Sequence, residues 1–310
     1  MIYTCTIAPS IDYTVYLSEF DSGKLNRTND VYYYPGGKGI NVSRVLKRLG
    51  VSNKALGFAG GFTGRYIEEY LKNEDVETDF IETAEVTRIN VKIKSETETE
   101  LNGPGPELTA DQLGALTKKV QDMNEGDWFV LAGSLPSTIS PDYFLELATL
   151  CHTKSIRFVL DTSGPMLKSI LTAHVFLVKP NQQELGELFG VDITNLTDVY
   201  HYAHKLVASG TEHVVVSMGG DGAMLVTKDI ALIANAPTGT VVNTVGAGDS
   251  LVSGFIASYA TNGDAAQAFR LGVASGSATA FRSDLCEKED VETLLDQIEV
   301  HPFEEKDVTQ

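Results

Sequence analysis

The sequence predicts an α/β protein, a mostly parallel sheet with helices on its faces and a small β-sheet lid. Two observations carry that expectation. Apolar β-type runs alternate with amphipathic helical runs along most of the chain, the mark of a parallel sheet covered by helices. The alternation fails in two places, both in the N-terminal third, where strand patterns follow one another with no helix between them.

Strands are expected at 2–8, 54–60, 128–134, 157–163, 176–181 and 213–219. Helical patterns fill 40–49, 63–73, 110–123, 141–153, 182–189 and 196–208, with two adjacent ones at about 249–261 and 264–281. The exceptions are residues 12–34 and 87–102. In the second, Arg88, Asn90 and Lys92 fall on one strand face and Ile89, Val91 and Ile93 on the other. Both exceptions together are expected to form one sheet projecting from the main domain as a lid over a site. No repeat or linker divides the 310 residues, so 1–310 is expected to be a single domain. The acidic tail after about Glu299 is expected to be loosely held.

Composition narrows the function classes. An apolar fraction of 43% and a charged fraction of 21% are those of a soluble globular protein. A net charge of −18 argues against nucleic acid or an anionic membrane as the main partner. No apolar run nears the ~18 residues of a membrane span, and "MIYTCTIAPS" lacks the basic and long apolar segments of a signal peptide. Cys5, Cys151 and Cys286 are odd in number and widely spaced, which suits reduced thiols in a cytoplasm. Against the acidic background, Lys24, Arg27, Lys38, Arg44, Lys47 and Arg48 cluster with one acid, Asp30. The cluster is either a solvated basic face or a site for a small anion.

Four loops can carry chemistry. In "YPGGKGINVSRVLKRLG" (34–50), Gly36, Gly37 and Gly39 let the backbone approach a ligand, and Asn41 stands in the first helical turn. It is no P-loop, because Gly39 rather than Ser or Thr follows Lys38. In "FLVKPNQQELGELFG" (176–190), Pro180 ends the strand and leaves Lys179, Asn181 and Glu184 where open α/β sheets bind ligands. Asn181 and Glu184 share a helix face, an arrangement that suits a hydrated Mg²⁺ or simply a well-capped helix start. "VVVSMGGDGAML" (214–225) sets Ser217, Gly219, Gly220 and Gly222 at a strand end, as a nucleotide-following loop or a plain hairpin turn. In "NTVGAGDSLVSGF" (243–255), the N–H groups of Gly246, Ala247 and Gly248 can converge on an anion at a helix start. Asp249 beside them is either an N-cap or a base for a hydroxyl attacking a phosphoryl group. Small residues from Gly272 to Ala278 let the following helix approach either another helix or a flat ring. A dinucleotide fingerprint and G-x-S-x-G are both absent.

Taken in order, these motifs resemble the PfkB (ribokinase-like) family of carbohydrate kinases over nearly the whole chain. "GGKGINVS" is similar to the family's N-terminal signature and "NTVGAGDSLVSGFI" to its C-terminal one, with "KPNQQE" between them. Within the family, "APSIDYTV", "GKLNRT", "TRINVKI" and "AGSLP" resemble the 1-phosphofructokinase branch, with tagatose-6-phosphate kinases second. The resemblance implies a ribokinase-like three-layer αβα fold, ATP and Mg²⁺, and phosphoryl transfer to O6 of fructose 1-phosphate. It implies Asp249 as the base and Gly246, Ala247 and Gly248 as the anion hole. Asn181 and Glu184 would act on Mg²⁺ through water, and Lys179, Ser217, Gly219, Gly220 and Gly222 would line the nucleotide. Asp12, Gly37 and Asn41 would hold sugar hydroxyls. A phosphate already on the sugar needs cations away from Asp249, and Lys24, Arg27, Lys38 and Arg88 are the candidates, with Asn90 beside Arg88. A non-catalytic sugar-phosphate or nucleotide sensor on the same fold is the reading from another class. Lid strands with an apolar face (Val15, Leu17, Val31, Tyr33, Ile89, Val91, Ile93) offer a homodimer surface.

Overall fold

Strands that are apolar on both faces build the centre of the molecule in a computed structural model, which describes residues 1–171 and 173–304. The N-terminal part runs β1 (Ile2–Thr6), β2 (Ser10–Tyr16), β3 (Val31–Gly36), α1 (Lys38–Arg48), β4 (Asn53–Ala59), α2 (Gly61–Asn73), β5 (Glu77–Thr78), β6 (Ile81–Glu82), β7 (Arg88–Lys94) and β8 (Glu98–Leu101). The middle runs α3 (Ala110–Gln121), β9 (Trp128–Ala132), α4 (Pro141–Thr153), β10 (Arg157–Asp161), α5 (Pro165–Ile170), β11 (Val175–Val178), α6 (Gln182–Phe189), α7 (Leu196–Ala208) and β12 (Thr211–Ser217). The chain continues through β13 (Ala223–Val226), β14 (Ala231–Ala234), α8 (Ala247–Asn262), α9 (Ala265–Ala280), α10 (Lys288–Leu295) and β15 (Val300–Pro302).

The main sheet has the order β15-β14-β13-β12-β11-β10-β9-β1-β4-β5, with β6 also pairing β4. From β12 to β4 every pairing is parallel, while β13, β14 and β15 add an antiparallel edge. Every residue of β9 and β11 is buried, as a parallel sheet covered on both faces requires. One face packs on residues of α3, α4, α6 and α7, such as Leu116, Phe144, Leu185 and Val199. The other packs on α1, α8, α9 and α10 through Val45, Phe255, Phe269 and Val291. The three layers are thus those expected.

The two strand-only stretches form one separate four-stranded sheet, β3-β2-β7-β8. Its polarity is inverted relative to a usual half-buried sheet. Ser10, Thr14, Asn90 and Lys92 are buried on its inner face, whereas Tyr33, Ile89 and Leu101 are exposed on its outer face.

Two expectations are corrected and one open alternative, that for α9, is decided. The chain beyond Glu299 is held, because Val300–Pro302 pairs with β14 and Phe303 N–H donates to the Ala231 carbonyl; residues 305–310 lie outside the described residues. The small residues of α9 serve helix packing. A Cβ on Gly254 would stand 2.4 Å from Ser275 Oγ, and one on Gly272 2.8 Å from the Leu251 carbonyl. The basic cluster is not one anion site, since Arg44 and Arg48 are consumed by carboxylates. Arg44, 1% exposed, meets Glu74 at 2.7 Å and Asp284 at 3.0 Å. Arg48 shares both acids and also reaches Glu287 at 3.2 Å.

Candidate active site

The C-terminal ends of the parallel strands open into a cleft, where open α/β sheets bind ligands. Its main lobe, about 390 Å³, is lined by Thr6 of β1, Lys179 after β11, Ser217 of β12 and the starts of α1, α6 and α8. A second lobe of about 330 Å³ adjoins it between the lid and the 242–245 and 283–285 loops. Asp12, Asn41, Lys92 and Val245 line both lobes.

The start of α8 is the centre of the main lobe. Gly246 is its N-cap, with φ 82°, a left-handed conformation that glycine adopts without strain, and no side chain caps the helix. A Cβ on Gly246 would also stand 2.5 Å from Leu285 Cδ2. Asp249 is therefore not the N-cap. It sits in the first turn, 5% exposed, and its Oδ2 accepts a 2.8 Å hydrogen bond from Asn41 Nδ2 of α1. Among the described residues, the N–H groups of Gly248 and Asp249 have no protein acceptor, as at any uncapped helix start. Ala247, expected in the anion hole, instead donates its N–H to the Thr244 carbonyl at 3.2 Å and does not line the cleft.

Two lysines flank this helix start. Lys38 Nζ donates to Asp161 Oδ1 at 3.2 Å, and Lys179 Nζ lies 3.7 Å from the same oxygen. A Cβ on Gly248 would stand 3.0 Å from Lys179 Nζ, so the glycine admits the ammonium against the helix. Asp161 ends β10, fully buried, and its Oδ2 has no hydrogen-bond partner among the described residues. Burial pushes the Asp161 carboxyl up, but the charges of Lys179 and Lys38 outweigh it and hold it below the ordinary range. The Asp161 carboxylate in turn raises the Lys38 ammonium, against its partial burial. Burial first, and then the negative charge of Asp161, push Asp249 up to about 6 against the pull of Lys38, Asn41 and Lys179. The site thus holds a buried carboxyl pushed up to about 6, beside two cations and, among the described residues, free helix N–H donors.

At one wall of the cleft, Asn181 and Glu184 form a reciprocal capping box at α6. Asn181 Oδ1 accepts from Glu184 N–H at 2.7 Å, and Glu184 Oε2 accepts from Asn181 N–H at 2.9 Å. Both side chains nonetheless line the cleft. Ser217 lines it too, while Gly219 and Gly220 sit in a 3₁₀ turn beyond it, with open space where their side chains would be. Gly222 has a structural reason instead, since at φ 88° a Cβ would stand 1.9 Å from the Ala234 carbonyl of β14.

At the opposite wall the lid's inner face supplies the floor of the cleft. Asp12 Oδ1 accepts from Ser10 Oγ at 2.8 Å and from Asn90 Nδ2 at 3.2 Å. Arg88 donates from Nη1 to the Gly103 carbonyl at 3.0 Å and from Nη2 to the Ala8 carbonyl at 2.9 Å. Asp12, Gly37, Lys38, Asn41, Arg88 and Asn90 all line the main lobe, so the expected sugar-side set is largely brought together. Lys24 and Arg27 are not. Both stand on the exposed segment between β2 and β3, Lys24 pairing with Asp21 at 3.1 Å, and neither lines the cleft. Sequence reasoning missed Asp161 and Lys92; the alternation of β7 had placed Lys92 on the face of Arg88 and Asn90.

An α/β sheet with a buried carboxylate, two cations and an uncapped helix start at its strand ends suits phosphoryl transfer to a hydroxyl group. The pfkB family carbohydrate kinase pattern matches residues 6–291, and the chain belongs to that family, whose co-substrate is ATP. It is 50% identical to the 1-phosphofructokinase of Bacillus subtilis (strain 168), over 97% of this chain and 99% of that one. It is 37% identical to the D-tagatose-1-phosphate kinase of Bacillus licheniformis, over 97% and 99% respectively. Phosphofructokinase-2 of Escherichia coli, solved in complex with substrates and products, superposes with a TM-score of 0.91 at 33% identity, covering 95% of this chain and 98% of that one. Among the described residues, no helix is long and apolar enough to cross a membrane.

Proposed function

We propose that this chain transfers the γ-phosphoryl group of ATP to O6 of fructose 1-phosphate, giving fructose 1,6-bisphosphate. The observation that carries the reading is Asp249, a buried carboxyl that ionises near pH 6 at an uncapped helix start. At neutral pH it is ionised and able to take the O6 proton as that oxygen attacks. The N–H groups of Gly248 and Asp249, with Lys179 and Lys38, would stabilise the charge on the transferring group. Asp161 would keep Lys38 charged and hold both lysines in place. Asp12, Gly37, Asn41 and Asn90 would hold sugar hydroxyls, and Ser217, Gly219 and Gly220 would run beside the nucleotide.

Mg²⁺ suits the donor set by its chemistry. Among the described residues no three carboxylate, histidine or cysteine side chains cluster as a cage. A single carboxylate and an amide at the cleft wall, Glu184 and Asn181, match an ion that keeps most of its waters. When bound, Mg²⁺ neutralises phosphate charge, and these two residues would hold its waters.

The 50% identity to a 1-phosphofructokinase favours fructose 1-phosphate. The D-tagatose-1-phosphate kinase relative favours a second reading, in which the sugar is the C4 epimer, and it moves the competing phosphate from C6 to C1. A coupled assay of ATP consumption over fructose 1-phosphate, fructose 6-phosphate, tagatose 1-phosphate and tagatose 6-phosphate decides between them. The expected result is the highest kcat/KM with fructose 1-phosphate; a higher value with another sugar overturns the assignment. No ATP consumption with any of the four returns the protein to the sensor reading. We also propose a homodimer through the apolar outer face of the lid.

A further inference from the structure

The cleft contains a buried cation that none of the roles above uses. Lys92 stands on the inner face of β7, two positions from Asn90 and four from Arg88, and it lines both lobes of the cleft. Its Nζ lies 3.1 Å from Asp12 Oδ2. In the β2–β7 register Lys92 stands opposite Thr14, whereas Asp12 stands opposite Asn90. The lysine therefore leans back along the strand by one residue pair, toward Arg88.

The two cations differ in what they have left to give. Arg88 spends Nη1 and Nη2 on backbone carbonyls, and its Nε is buried with no hydrogen-bond partner among the described residues. An ammonium has three donors, and Asp12 is the one side chain that Lys92 Nζ pairs with among the described residues. One pinned cation with an unmet donor thus shares the inner face of β7 with one pivoting cation that has donors to spare. A buried donor without a partner costs free energy that an arriving acceptor recovers.

We propose that Lys92 determines specificity by binding the substrate's C1 phosphate, leaving Asp12 for it while Arg88 Nε supplies a second donor. The inference rests on the reading of the substrate as a ketohexose 1-phosphate. With O6 at Asp249, the C1 phosphate lies at the opposite end of the sugar. In the free protein the Lys92–Asp12 pair compensates two charges in a desolvated place, where either alone would be costly. As the dianion enters, Lys92 turns to it and Asp12 is released to accept sugar hydroxyls. The empty site therefore does not accumulate unpaired charge, and a sugar lacking the phosphate must leave Lys92 on Asp12 and forgo that carboxylate.

The test compares Lys92→Met and Lys92→Arg with the unaltered protein, using the sugar phosphate it turns over fastest. The inhibition constant of inorganic phosphate, competing with sugar at saturating ATP, is measured in parallel as a probe that has the charge but no hydroxyls. Loss of a charged hydrogen bond is expected to raise both KM and the phosphate inhibition constant by about 10- to 100-fold in Lys92→Met. The variant's kcat should stay within about 3-fold, well short of the loss expected from removing a general base, and Lys92→Arg should restore most of the affinity. A rise in KM with an unchanged phosphate constant means that Lys92 only holds Asp12, and overturns the proposal; so does no change in either. Should Lys92→Met leave Asp12 too destabilising to fold, the double variant Lys92→Met with Asp12→Asn removes the orphaned carboxylate and must still show the weakened phosphate inhibition. Failure of the substrate assignment is read separately, from the unaltered protein's ranking of the four sugars.

Discussion

Asp249 carries a charge state on which the proposed chemistry depends, and its environment sets the pH at which that state is reached. With its carboxyl pushed up to about 6 by burial and Asp161, kcat/KM should fall tenfold per pH unit below about pH 6. A limb near the ordinary carboxylate range in the pH profile would contradict this. Asp249→Ala should lower kcat by roughly 10²–10⁴-fold while ATP still binds, which calorimetry checks. The same shift has a stability consequence. The folded protein holds the Asp249 proton more tightly than the unfolded chain, so this group's contribution to stability falls as pH rises from the ordinary carboxylate value through 6. Asp249→Asn should therefore melt higher than the parent at pH 7, and the gain should vanish by pH 4. Asp249 and Asn41 were legible because they sit in glycine loops whose only use is close approach to something. Asp161 was not, because it ends an ordinary apolar strand and its meaning comes from lysines on α1 and after β11. Lys92 was on the right face of β7, but alternation defines two faces without saying which turns inward.

Elements position the site through α1 as much as through α8. Helix α1 brings Lys38 and Asn41 to the cleft, and Arg44 on the next turn ties it to α2 and to the loop before α10. Leu285 of that loop packs against Gly246, so the same clamp supports the start of α8. The Arg44 guanidinium also lies 5.2 Å from the centre of the Tyr70 ring. Arg44→Met should cost about 3 kcal/mol, the low end for breaking a buried pair, since Glu74 and Asp284 keep some solvent and retain Arg48. The midpoint of urea unfolding measures it, and a loss below ~1 kcal/mol would show that the carboxylates need no buried partner. The longer helices, and α6, were legible to within about two residues, whereas α5 and α10 were not, α5 spanning six residues and α10 eight. Of the three edge strands, β13 was legible only as the far arm of one of two readings of the 214–225 loop, and β14 and β15 were not, because both are short. The small residues of α9 left two partners open, and only the approach of α8 decided between helix and ring.

At the scale of the whole molecule, the lid faces the wrong way for a protein that acts alone. Its polar residues are turned inward to the cleft, and its apolar face, with Tyr33 53%, Ile89 43% and Leu101 60% exposed, is turned outward. Tyr13 and Tyr33 stack on that outer face with ring centroids 4.8 Å apart, already ordered and flanked by Val15, Val31, Val91 and Ile93. A contiguous apolar face on a projecting sheet marks an interaction surface, and a second copy of the same lid is its self-complementary occupant, closing a two-fold interface. The protein should therefore sediment as a dimer at micromolar concentration. Tyr33→Glu with Ile89→Glu should convert it to a monomer without unfolding it, because both side chains already stand in solvent and neither carries a core contact. Since the opposite face of the same strands carries Asp12, Asn90 and Lys92, the monomer should also bind its sugar phosphate more weakly, raising KM more than it lowers kcat. A parent chain that sediments as a monomer at tens of micromolar would remove the outer face from the account and leave the inverted lid to the single chain alone.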